Sequence, residues 1–189
     1  MTAALELWRK RADAFGAVTA RTTDWDAATP CEKWAARDVV EHVVSTQQDF
    51  LSEHGLLRGG FTDGSTGPGN PTDPANPRTL WPTHERMVAA LLADPDVAGR
   101  EFAGYFGPST IGETLAGFYA TDLIVHRWDL AASQGIDAEL TEEELDVVDA
   151  AMDSFGEQAY APGLFDPPVK VPDGAGRQAA VLARTGRRG

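Results

Sequence analysis

The segment from Thr110 to Gly135 restricts the fold more than any other. Thr110-Ile-Gly-Glu113 is a capping box, in which the Thr and Glu side chains satisfy the backbone N–H groups that a helix start leaves unpaired. Gly135 is a stop signal. The stretch between them predicts one long helix, from Ile111 to about Ser133. At roughly 100° per residue, Ile111, Leu115, Phe118, Asp122, His126 and Asp129 fall on one side of it. The stripe therefore begins apolar and ends ionisable. Charges on a buried face cost several kcal/mol each unless they are paired or bound to metal. Whatever this chain folds into must bring partners to Asp122, His126 and Asp129.

The rest of the chain offers helices to do so. Leu5, Trp8, Ala12, Phe15 and Val18 recur at helical spacing and predict a first amphipathic helix from about Ala3 to Arg21. A second starts near Ala35 and carries Val39, Val40, Val43, Val44, Phe50 and Leu51 as its apolar stripe, ending at Gly55. Residues 55–77 hold six glycines and four prolines with scarcely any apolar periodicity, which predicts a long flexible loop near the mouth of a site. A third helix is expected from about Thr83 to Ala93, stopping before Pro95. Glu101–Phe106 reads as extended. Thr141-Glu-Glu-Glu144 is a second capping box and opens a helix to about Tyr160. Beyond Pro162 the chain reads as a small irregular C-terminal segment with a short helix near Gln178–Arg184. The expectation is a single all-α domain over residues 1–189, a four-helix bundle with a long crossing loop.

Composition excludes some classes of function. A net charge of −13, from 29 acidic and 16 basic residues, repels a nucleic-acid backbone, and the one basic cluster, Arg184 to Arg188, reads as a solvated tail. No apolar run is long enough to cross a bilayer. The single cysteine, Cys31, excludes an intramolecular disulfide, and the N-terminus lacks the apolar core of a secretory signal, so a cytoplasmic protein is expected. Trp34 and Trp128 read as core residues.

Asp122 and His126 are four residues apart, one turn from each other, and can reach a common point. A carboxylate oxygen and an imidazole nitrogen are ordinary ligands for zinc and related divalent ions. A third ligand must come from another helix, and His42, on the flank of the second helix's stripe, is the candidate. His54 sits at a helix end and His84 on the polar entry of the third helix. Asp129 suits an orienting acceptor better than a ligand. The same spacing also fits an Asp–His pair that bonds only to itself and to backbone, with no metal. Cys31, before the second helix and beyond Trp34, reads as poorly placed to share the ion.

Thr29-Pro-Cys-Glu-Lys-Trp-Ala-Ala-Arg-Asp-Val-Val-Glu-His42 resembles the T-P-C-x-x-W-x-x-R-D-L-V-x-H segment of actinobacterial proteins related to mycothiol-dependent maleylpyruvate isomerase, within the DinB-like superfamily. Asp122-Leu-Ile-Val-His-Arg-Trp-Asp-Leu-Ala131 is similar to their second signature, and Phe165 to Pro172 with Ala183-Arg-Thr-Gly-Arg187 to their closing segment. The resemblance implies a DinB-like bundle in which His42, Asp122 and His126 bind a divalent metal, zinc foremost, with nickel or another ion as alternatives. It further implies mycothiol as cosubstrate, a small electrophile as substrate, and isomerase or transferase chemistry by a monomer or homodimer. Asp122 stands where the isomerase has Glu, and the isomerase has a further C-terminal domain for which this chain has no room, so a different substrate is expected. The alternatives are a non-catalytic metal or small-ligand binding bundle and a metal-free protein interaction module.

Overall fold

The computed structural model describes residues 1–32, 34–57, 77–105, 107–137, 139–162 and 164–188. Most of the loop expected over 55–77 lies outside them. The elements are α1 (Ala3–Arg21), α2 (Ala36–Glu53), α3 (Pro77–Ala93), the single turn α4 (Pro95–Ala98), a hairpin of β1 (Glu101–Gly104) and β2 (Gly107–Thr110), α5 (Ile111–Thr114), a π-helical turn (Leu115–Tyr119), α6 (Ala120–Ser133), α7 (Glu142–Phe155), a 3₁₀ turn (Gly156–Tyr160) and α8 (Arg177–Arg184). The all-α expectation holds, with one antiparallel hairpin added. Among the described residues no helix is long and apolar enough to cross a membrane.

Helix α1 packs against α3 and α6, and α2 packs against the same two. The four therefore form a ring in the order α1, α3, α2, α6, with the first two helices diagonal to each other. Trp8, Phe15, Val39, Val43, Leu51, Trp81, Leu92 and Leu115 fill the centre, all of them shut off from water. A second apolar cluster joins Ile124, Val125 and Trp128 of α6 to Leu145, Val148 and Met152 of α7 and Val181 and Leu182 of α8. Helix α6 is covered on both sides, which is why its sequence is apolar nearly all round.

Three expectations need correction. Helix α3 starts at Pro77 instead of Thr83 and contains Pro82. Pro82 is the sixth residue of the helix and forgoes one backbone hydrogen bond, while Trp81, with ring centroids 4.7 Å from Phe15 and 6.3 Å from Trp8, anchors this part of the helix in the core. His84 is not on a polar face: it is buried, with Nε2 3.2 Å from Gln47 Oε1 on α2. The basic C-terminal cluster is not a free tail, since Arg184 bonds to Asp149 and Asp153 on α7 and Arg187 is buried.

Candidate metal centre

The turn ahead of α2 explains most of the motif from Thr29 to His42. The Thr29 hydroxyl lies 3.1 and 3.0 Å from the Cys31 and Trp34 carbonyls, and Trp34 N–H closes the turn on Cys31. Asp38 reaches back to accept from Ala35 N–H at 2.8 Å, which caps α2 although Ala35 has no capping side chain. Arg37 pairs with Asp26. These bonds fix Trp34 immediately before the helix and His42 two turns into it.

Trp34 then lies over the site. Its ring is 4.5 Å from that of His42 and 5.6 Å from that of His126, nearly parallel to the latter at 23°. Trp34 packs against the core from its edge, only partly buried, and its ring also forms a wall over the two imidazoles. Trp128 is a core residue, as expected.

His42, Asp122 and His126 come together. Asp122 Oδ1 is 3.4 Å from His126 Nε2 and Asp122 Oδ2 is 3.7 Å from His42 Nε2. The three donor atoms all lie within 4.8 Å of one another. Tetrahedral donors at about 2.0–2.1 Å from a zinc ion sit roughly 3.3–3.5 Å apart, so the cluster would draw in by an ångström or so at its widest to hold one.

Behind His126 stands a second layer. Its Nδ1 is 2.9 Å from Asp129 Oδ2. Arg187 donates to the same carboxylate through Nη2 at 2.9 Å and Nε at 3.3 Å, and its Nη1 donates to Thr185 carbonyl at 2.6 Å. With Asp129 accepting at Nδ1, the Nε2 lone pair of a neutral His126 faces Asp122 and His42, the tautomer a ligand needs. Gly186 makes the return of Arg187 feasible: its φ of 83° suits glycine, and a Cβ there would lie 2.5 Å from that of Asp166.

Electrostatics follow from this layout. Burial pulls the His126 imidazole down, but the Asp122 carboxylate, with help from Asp129, overrides it and raises the pKa to about 9. Burial lowers His42, and Asp122 only partly opposes it. Asp122 is held below the usual carboxylate range, because the two imidazoles and Arg187 outweigh a burial that acts the other way.

The cluster opens onto a cavity of about 410 Å³ lined by Trp34, Thr46, Phe118, Tyr119, Leu164 and Phe165 among others. Cys31 also lines it, although it is not among the side chains whose donor atoms converge. Burial, opposed by Arg187, pushes that thiol up to about 11, so it stays protonated near neutral pH. The Tyr119 phenol is likewise raised, by burial and then by Asp122, and its hydroxyl donates to the Thr46 carbonyl at 3.2 Å. Sequence reasoning missed Arg187, Tyr119 and the wall role of Trp34. The motif ending in Arg187 was a signal, but nothing in its spacing shows that it returns to Asp129.

Two histidines and a carboxylate thus converge from two facing helices of a bundle, the kind of inward-facing donor set from which bundles build metal sites. The family described as mycothiol maleylpyruvate isomerase N-terminal domain matches residues 5–131, and the chain belongs to it. Uncharacterized proteins from two strains of Mycobacterium tuberculosis are 31% identical over 161 residues, covering 80% of this chain and 79% of each relative. No solved structure matches. The matched residues include all three members of the cluster and Asp129, whereas Arg187 lies beyond them.

Proposed function

We propose that the chain is a divalent-metal enzyme of thiol chemistry, with His42, Asp122 and His126 as ligands, zinc as the first candidate ion, and mycothiol or a similar low-molecular-weight thiol as cosubstrate. The reaction is isomerisation of a small electrophile, or transfer of the intact thiol to it. The observation that carries this reading is the convergence of three deprotonatable donors, from two helices, at the wall of a cavity large enough to admit a small molecule.

A bound divalent ion at an open position would favour the thiolate form of an incoming thiol. The chain's own residues do the rest. Asp129 and Arg187 hold His126 in one tautomer and one rotamer. Trp34 covers the two imidazoles and keeps water from one face of the cluster. Tyr119 keeps its proton and acts as a neutral donor, and Cys31 remains a thiol, which leaves the nucleophile to come from solution.

One observation favours the metal-free alternative. His126 lies between Asp122 and Asp129, and Arg187 completes the chain of charges, so a protonated imidazole satisfies the buried carboxylates without an ion. Turnover decides. A panel of small electrophiles is assayed with and without mycothiol, using wild type, chelator-stripped protein and His126→Ala. The enzyme reading expects turnover that needs both thiol and metal and disappears in the variant. Metal retention with no thiol-dependent turnover would point to the non-catalytic binding bundle.

A further inference from the structure

Beside the metal cavity lies a larger one, of about 670 Å³, within the range of small-molecule sites. Phe118, Tyr119 and Leu164 line both, so the two meet along a common wall. The larger cavity lies between the end of α2, the β1–β2 hairpin and the start of the helix that carries Asp122.

Its wall is a run of aromatic rings. His54 and Phe102 have centroids 4.4 Å apart, Phe50 and Phe102 5.6 Å, Phe50 and Tyr119 5.4 Å, and Phe118 and Tyr119 5.1 Å. The π-helical turn Leu115–Tyr119 supplies the last two, and such widened turns are frequent at functional sites. At the exposed rim stand two carboxylates, Glu53 and Glu113. Among the described residues no Lys or Arg lines this cavity. The field there is negative: Asp122, Glu53 and Asp49 all add to the burial that raises the Tyr119 phenol.

Ring faces attract cations through their quadrupole, and carboxylates at the edge add to this. An anion would meet the opposite on both counts. We propose that this cavity binds a flat apolar ring bearing a cationic group, with the ring against Phe102 and Tyr119 and the positive charge toward Glu53 and Glu113. A dicarboxylate is the wrong chemistry for such a pocket. The bound molecule would touch none of the three candidate metal ligands, and its charge is read at Glu53 and Glu113, with Asp122 adding only to the background field.

The test is calorimetric titration of tryptamine, tryptophol and indolepropionate, which share a ring and differ in charge, into the full chain before and after chelator treatment. Tryptamine should bind tightest and indolepropionate weakest, by a factor of about ten or more. The double variant Glu53→Gln with Glu113→Gln should bring that factor below about three and leave tryptophol unchanged, while Gln at position 113 keeps the capping acceptor. Phe102→Leu should weaken all three ligands by about threefold or more. If Phe102→Leu fails to fold, the carboxylate variant decides alone. Indolepropionate binding as tightly as tryptamine, a charge preference that survives the double variant, or no binding of any ligand at millimolar concentration would overturn the proposal. Because the ligands are compared with and without chelator, failure here leaves the metal result untouched, and loss of metal leaves this result untouched.

Discussion

His84 on α3 and His126 on α6 are both shut away from water, at 0% and 3% exposure, yet they titrate in opposite directions. Burial alone takes His84 down to about 3, since its partner is the neutral amide of Gln47. His126 suffers the same burial, but the carboxylates of Asp122 and Asp129 override it and carry the ring to about 9. Depth therefore does not make a histidine a ligand candidate. What distinguishes the two is the charge arranged around the ring: His84 packs as a polar core residue, and His126 is held by a chain of ionised groups with its Nε2 turned toward Asp122 and His42.

The largest expected effect comes from breaking that chain. Arg187→Met leaves Asp129 paired only with His126, and removal of one partner from a buried ion network costs about 3–5 kcal/mol. Urea unfolding measures it, and a loss below about 1 kcal/mol would mean that Arg187 is incidental to the site.

Next in size is the acid limb set by His84. Its folded pKa lies far below the ordinary value of about 6.5, so its contribution is complete above that value and is lost as pH falls toward 3. The loss should amount to several kcal/mol, and His84→Gln should flatten that part of the stability profile relative to wild type. Identical profiles would show that His84 already finds a proton in the folded state.

The contrast between the two histidines was only partly legible in sequence. The helical period placed Asp122, His126 and Asp129 on one face, and the two capping boxes at Thr110 and Thr141 fixed two helix starts, because both signals are local. The long-range parts were not. Trp81 draws α3 back to Pro77 and buries His84 by packing across three helices, and Arg187 reaches Asp129 from 58 residues away. The π turn ahead of α6 leaves no mark that residue spacing reveals.

A smaller effect concerns metal uptake. In the metal-free protein the His126 pKa is raised above its ordinary value, so the stability its ion pairs supply is complete below about 6.5 and is lost as pH rises through about 9. An ion must displace that proton, so apparent zinc affinity should keep rising by about tenfold per pH unit up to about pH 9. Competition with a chromophoric chelator measures it, and a plateau already reached at pH 7 would place the His126 pKa lower. The smallest effect belongs to Cys31, which lines the cavity as a protonated thiol. Cys31→Ser should change stability by less than about 0.5 kcal/mol and leave metal content and any thiol-dependent turnover intact. Loss of turnover with metal retained would make Cys31 the nucleophile.

The central claim, that His42, Asp122 and His126 form a metal centre, is tested most directly by elemental analysis of untagged protein expressed under varied metal supply. Wild type should carry about one divalent ion per chain, since three convergent donors suffice for one ion with an open position and not for two. His42→Ala and His126→Ala should carry far less, and His84→Gln should match wild type. Metal-free wild type under every supply, or full occupancy in both ligand variants, would contradict the account.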